Sequence, residues 1–425
     1  MAERGRERVV VTGVGAVTPI GTGRVGLWDG VKRGRSVVGP VTRFDATPFR
    51  SRLAAEIGDF DPLAHLQLRQ ERRLDRYAQL ALVAARLAVE DARLHVPEGR
   101  PRNRAGVYLG SALGGVAYAE EQHAAFLSRG ARAVSPMLAL AVFGGASATN
   151  VAIDLGWRGP NLTNANSCAS GAVAIGEAFR LIRSGGASVM LAGGVEAPLA
   201  PLTFGAFALI KAMSTQNDRP GQASRPFDVA RDGFVMGEGA SIMVLESLVH
   251  ARRRGAEVLG EVVGYALTND AYHMTAPRPD GRQAARTIRL ALADARLKAY
   301  QIGYVNAHGS STVLGDAAEA QAIKTGFGRY LSPQVQVSAT KGLYGHPLGA
   351  SGAIETALTV EALRTGWLPP TTNLERPDPK CALPLVPAGG VHRQTNYALC
   401  NTFGFGGINA CLVVARPSAD DEAGS

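Results

Sequence analysis

From Arg69 to about Leu94, apolar side chains return at steps of three and four: Leu74, Tyr77, Leu80, Ala81, Ala84, Leu87 and Ala88. That period gathers them on one face and predicts an amphipathic helix. Elsewhere the pattern is short and β-rich. Arg8 to Gly15 opens with three valines and reads as a strand ending in glycines. Strands are also expected near Asn161–Asn166, at Ser188–Ala192, at Ile302–Asn306 and at Gln334–Ser338. Helices of small residues follow three of them, from Ala169, from about Asp316 and from near Leu348. Alternating strands and helices predict an α/β protein with parallel sheets. No short tandem repeat is visible, and a duplicated architecture is not evident from the periodicity.

One stretch, Ala133 to Ile153, carries no charge. Its Ser135, Pro136, Gly144, Gly145, Ser147, Thr149 and Asn150 argue against a membrane helix, and it reads as buried protein interior. No apolar signal core follows the charged first residues, so a cytoplasmic protein without membrane insertion is expected. Residues 418–425 read as a flexible tail. Gly13-x-Gly15 lacks the third glycine of a dinucleotide-binding loop and is rejected as one.

The chain has 425 residues and a net charge of +9. Nucleic acid is the first partner such charge suggests, but no nucleic-acid module is present, and an acidic protein fits equally well. Arg69, Arg72, Arg73 and Arg76 crowd the expected start of the first helix, where positive charge opposes the helix dipole. A solvated face and an anion-docking patch are both open readings of that cluster. Four cysteines, with no CxxC pair, make neither a disulfide framework nor a structural zinc site.

Cys168 is placed where a strand gives way to a small-residue helix. Helix N–H groups favour the thiolate there, so an acidified nucleophile is expected. His308 and His346 sit in glycine-flanked loops after strands, where parallel sheets place ligands. Two imidazoles can donate hydrogen bonds to a carbonyl oxygen that gains negative charge.

Four ordered segments carry a resemblance: Asn166-Ser-Cys-Ala-Ser-Gly171, Val305-Asn-Ala-His-Gly-Ser-Ser-Thr312, Lys341 with Gly345-His346, and Asn401-Thr-Phe-Gly-Phe-Gly-Gly407. Together they resemble the β-ketoacyl-acyl carrier protein synthase family, in its elongating Cys-His-His branch, from about Arg8 to Val414. The resemblance implies a thiolase-like fold with two similar α/β halves in a layered α-β-α-β-α arrangement. The halves are set at residues 1–258 and 259–417. It implies decarboxylative condensation of an acyl-Cys168 thioester with malonyl carrier. His308 and His346 would promote decarboxylation. Lys341 would support them, with Glu319 as its partner and Phe403 beside the site. The N–H groups of Cys168 and Phe405 would form an oxyanion hole, and Phe405 would gate the site. Ser310 and Thr312 would contact the phosphopantetheine arm, while Leu113 and Phe207 would wall the acyl pocket. Arg69, Arg72, Arg73 and Lys211 would dock the acidic carrier protein. No cofactor or metal of the enzyme's own is implied, because the carrier supplies the phosphopantetheine. A homodimer is implied. The alternative is a ketosynthase subunit of a type II polyketide or polyene synthase, paired with a non-catalytic chain-length factor.

Overall fold

The computed structural model describes residues 7–95 and 103–418. The frame starts with strand β1 (Val9–Thr18) and, after the shorter elements between residues 21 and 71, helix α1 (Arg76–Asp91). There follow β2 (Ala105–Gly110), α2 (Val116–Arg129), α3 (Ala146–Leu155), β3 (Asn161–Asn164), α4 (Ser170–Arg183), β4 (Val189–Glu196), α5 (Pro201–Leu209) and β5 (Gly239–Ser247). The second half runs β6 (Gly260–Asn269), α6 (Arg282–Asp294), β7 (Tyr304–Asn306), α7 (Val313–Phe327), β8 (Gln336–Ser338), α8 (Ser351–Thr365), β9 (Tyr397–Gly404) and β10 (Ile408–Ala415).

These ten strands form one row in the order 8-7-9-10-6-1-5-4-2-3. The halves meet where β1 and β6 pair antiparallel at Val9–Val11 against Gly260–Val262. Each half repeats the other. Its first, fifth, fourth, second and third strands lie in that order, with antiparallel pairing at the first two junctions and parallel pairing at the last two. The same irregularity recurs, before Gly13 in β1 and before Gly264 in β6. The duplication that periodicity did not reveal is thus plain in the strand order, and the thiolase-like architecture expected from the resemblance is the one observed.

Alternation along the strands builds the layers. Met190, Ala192, Met243 and Leu245 face a central cluster, while Val189, Leu191, Ile242 and Val244 face the opposite side, against α1. In the second half Cys400, Leu412 and Val414 face the same centre, and Leu399, Cys411 and Val413 face α6 and α7. The central cluster contains Ile175 and Phe179 of α4 and Ile354 and Leu358 of α8. A helix between the two halves of the strand row has no solvent face, and every residue of α8 from Ser351 to Leu363 is buried.

Three expectations are corrected. The single helix from Arg69 is two elements: a short turn of helix, Leu68–Glu71, and α1. The Asp75 carboxylate caps α1 by accepting from Ala78 N–H, so the long helix starts with an acidic cap rather than an arginine cluster. The stretch from Ala133 to Ile153 is buried interior only in part, at Ala141, Ala146, Ser147, Ala148 and Val151. It forms short helices with Leu140, Val142, Phe143 and Ile153 exposed by 57, 45, 45 and 72%. Its lack of charge reflects an apolar surface next to β3, which is the end strand of the row. Of the expected tail, only Ser418 is among the described residues, and residues 419–425 lie outside them, as do 1–6 and 96–102 of the first half. Among the described residues no helix is long and apolar enough to cross a membrane.

Candidate active site

The turns after β3, β7 and β8 converge with the hairpin between β9 and β10. Cys168 lies in the tight turn Ser167–Ala169 that starts α4, and it is 6% exposed. His346 Nε2 lies 3.1 Å from Cys168 Sγ, and its ring meets that of His308 edge-on at 5.2 Å. Phe234 packs edge-on against His346.

Two core helices set this spacing. A Cβ on Gly171 of α4 would come within 2.9 Å of Ala353 Cβ on α8, and one on Gly352 of α8 within 2.7 Å of Ala172 Cβ on α4. Only hydrogen fits at either place, so the two helix starts touch backbone to backbone. That contact delivers the nucleophile from the first half to the imidazoles of the second.

Lys341 is fully buried below His308. Its Nζ donates to the His308 carbonyl oxygen, lies 3.3 Å from His308 Nδ1, and forms an ion pair with Glu355. Glu319 is not the ion-pair partner of Lys341. Its carboxylate accepts from the N–H groups of His308 and Gly309, both at 2.8 Å, and so shapes the histidine turn. The sequence reading missed Glu355, although it left a signal: a lone carboxylate in the otherwise uncharged run Ser351–Val360. It also missed Glu196, the last residue of β4. This buried side chain accepts from Ser111 Oγ and from the N–H groups of Ala112, Leu113 and Gly349. It thereby ties the loop of Leu113 to the turn after His346.

Burial dominates the electrostatics. It lowers both histidines well below 6.5, with the Lys341 charge adding to the shift, so both imidazoles are neutral. It raises Cys168 above 9.0, against the opposing pull of the Phe405 N–H, Ser167 and Lys341. The acidified thiol expected from the helix start is therefore not what the free enzyme holds: the helix N-terminus favours the thiolate, and the dry surroundings disfavour it more. Burial likewise pushes Glu196 and Glu319 up to about 7.

A cavity opens above Cys168, lined by His308, His346, Phe403, Phe405, Ser310 and Thr312 among others. Ser310 and Thr312 share a 2.9 Å hydrogen bond, and Thr312 caps α7 by accepting from Gly315 N–H. Phe403 also packs on Ala284, Ala285 and Ala322. Phe405 stacks on Phe207 at 6.3 Å, and Leu113 packs into the same apolar cluster as Cys168. The structure thus brings together Cys168, His308, His346, Lys341, Glu319, Phe403, Phe405, Ser310, Thr312, Leu113 and Phe207. Arg69, Arg72, Arg73 and Lys211 stand apart on the surface, exposed. Arg76 does not belong with them: it pairs with buried Glu238, which Arg43 also contacts.

The hairpin is held from one side. Gly406, at φ 79, donates to Met274 O and accepts from Asn269 Nδ2. Asp270 accepts from Asn409 Nδ2 and from Arg278 N–H.

Residues 6–251 match the model of the beta-ketoacyl synthase N-terminal domain, and residues 259–375 that of its C-terminal domain. A 3-oxoacyl-[acyl-carrier-protein] synthase 2 of Synechocystis is 45% identical, over 98% of this chain and 100% of that one. Two solved structures are each 34% identical and cover 97% of this chain and 100% of their own. One is a type II polyketide ketosynthase in complex with its acyl-carrier protein and bound to the hexaketide, at a TM-score of 0.89. The other is the ishigamide ketosynthase/chain length factor, at 0.90.

Proposed function

Since this chain belongs to the β-ketoacyl synthase family, we propose that it condenses acyl and malonyl groups, both delivered on acyl carrier protein, to β-ketoacyl-carrier in fatty acid chain elongation. The observation that carries this reading is the 3.1 Å approach of His346 Nε2 to Cys168 Sγ, with neutral His308 alongside.

The first half-reaction is acyl transfer. The Cys168 thiol gives up its proton, which the departing pantetheine sulfur takes up, and its sulfur attacks the carbonyl carbon of the acyl thioester. The carbonyl oxygen gains charge facing the N–H groups of Cys168 and Phe405, and the pantetheine thiol leaves. In the second half-reaction malonyl-carrier takes its place. Its C–CO2 bond breaks, carbon dioxide departs, and the electron pair passes into the thioester as an enolate. His308 and His346 donate hydrogen bonds to the enolate oxygen. Neutral imidazoles suit this role, and Lys341 bears on His308 from behind as a fixed charge. The enolate carbon attacks the acyl-Cys168 carbonyl, the carbon–sulfur bond breaks, and Cys168 is released as product forms. Ser310 and Thr312 line the route for the phosphopantetheine, and Leu113 and Phe207 bound the acyl chain. The enzyme needs no cofactor of its own, because the carrier brings the reactive arm.

The reading also includes a cytoplasmic homodimer. An end strand such as β3 leaves backbone groups unpaired, and its own Leu162, with Leu140, Val142, Phe143 and Ile153 of the preceding stretch, adds exposed apolar area. A second copy paired through β3 would cover both. Sedimentation of the purified protein tests this.

The decisive experiment incubates the enzyme with acyl-carrier and malonyl-carrier and follows the β-ketoacyl-carrier by mass spectrometry. Absence of product with every chain length tried would overturn the reading. The polyketide alternative draws on the two solved ketosynthases. Higher identity to the Synechocystis enzyme, 45% against 34%, favours fatty acid elongation. Co-purification of a homologue without the nucleophilic cysteine would reverse that preference.

A further inference from the structure

His346 has two ring nitrogens, and only one of them faces the chemistry. Nε2 points at Cys168 Sγ, 3.1 Å away, while Nδ1 points inward, 2.8 Å from Ser351 Oγ. Ser351 is the first residue of α8 and is 0% exposed. Among the described residues its hydroxyl makes no hydrogen bond other than the one to His346.

We infer that Ser351 is a positioning residue, whose hydroxyl donates to His346 Nδ1 and so keeps the single imidazole proton on Nε2, aimed into the active site. The argument is one of satisfaction. A buried O–H needs an acceptor, and Nδ1 is the acceptor it has. The opposite tautomer would place N–H against the hydroxyl oxygen, leave the hydroxyl hydrogen without a partner, and turn a bare nitrogen toward the enolate. His308 is fixed the same way by different chemistry, since the Lys341 ammonium can only donate to His308 Nδ1. The two donors therefore have separate anchors, a cation for one and a hydroxyl for the other. The inference deepens the proposed function, because it rests on His346 donating to the enolate oxygen.

Nitrogen NMR of histidine-labelled enzyme reads the tautomer directly, without substrate. The expected result is a protonated Nε2 and an unprotonated Nδ1 for His346, assigned by comparison with His346→Ala, and a mixed or reversed tautomer in Ser351→Ala. A proton on Nδ1 in the unmodified enzyme overturns the inference, as does an unchanged His346 signal in Ser351→Ala. Ser351→Ala should also slow malonyl-carrier decarboxylation by roughly ten- to a hundredfold, as for loss of a partner that orients a histidine, with a smaller change in KM. Ser351→Thr, which keeps the hydroxyl, should restore most of the rate. Equal rates for Ser351→Ala and the unmodified enzyme would sink the positioning role. Failure of the functional reading is seen elsewhere, as condensation by the His346→Ala enzyme, and leaves the nitrogen signals as they are.

Discussion

A thiol at the first turn of a helix gains from the N–H groups there, yet Cys168 is held above 9.0 because the surrounding side chains exclude water. The reactive species is the thiolate, and a raised value means that its fraction is small at neutral pH and grows as pH rises. Alkylation of the free enzyme by iodoacetamide should therefore accelerate about tenfold per pH unit and keep rising through pH 9. A plateau below pH 8 would contradict the burial argument. Cys168→Ala should lose acyl loading altogether, measured with radiolabelled acyl-carrier, while its melting temperature stays near that of the parent. The buried pair of Lys341 and Glu355 behaves differently. Burial raises the Glu355 carboxyl and the ammonium works against it. Glu355→Leu removes that ammonium's ion-pair partner and should destabilise the fold by about 3–5 kcal/mol in denaturant titrations. Removing both charges, as Lys341→Met with Glu355→Leu, should be milder. The nucleophile was legible in the sequence because it stands where a strand gives way to a small-residue helix, and both histidines because they stand in glycine-flanked loops where a packing role is poor. Glu355 was not, because small residues on both sides made α8 look like a purely apolar helix.

Among the elements, the hairpin of Phe405 is the one whose anchor is local. Asp270 accepts from Asn409 and from the Arg278 N–H, and so holds the hairpin against the loop between β6 and α6. Asp270→Ala should loosen that anchor and slow acyl transfer to Cys168, read as a smaller burst of labelled acyl-enzyme. An unaltered burst would show that the hairpin is fixed by its own backbone. The opposite wall is fixed by Glu196, which locks the loop carrying Leu113. Leu113→Phe should accordingly shorten the longest chain accepted, because a locked wall cannot retreat from added bulk. The product profile over acyl-carriers of graded length tests it. Helix α1 was expected to begin near Arg69. Periodicity alone cannot see a break of four residues, but the side chain of Asp75 can make one, since an acceptor ahead of an apolar run stops a helix from extending backward.

For the whole molecule, charge and duplication matter most. Arg69, Arg72, Arg73 and Lys211 are exposed, as a docking patch for an acidic carrier would require. Arg73→Glu and Lys211→Glu should raise the apparent KM for acyl-carrier and leave a small pantetheine thioester almost untouched, with the difference shrinking as salt rises. Equal effects on both substrates would reduce the patch to a solvated face. The fold class was readable from the alternation of strands and helices. The doubling was not, because the halves share strand order and bulge position rather than residues. It matters because the backbone contact of Gly171 with Ala353 and of Gly352 with Ala172 lies where the halves touch. Such a joint has no tolerance: the smallest added side chain pries the nucleophile from its imidazoles. Variation inherited over generations must then accumulate elsewhere. A laboratory selection for new chain lengths should return changes around Leu113 and Phe207, on the loops and on α5, while positions 171, 172, 352 and 353 stay as they are in every survivor.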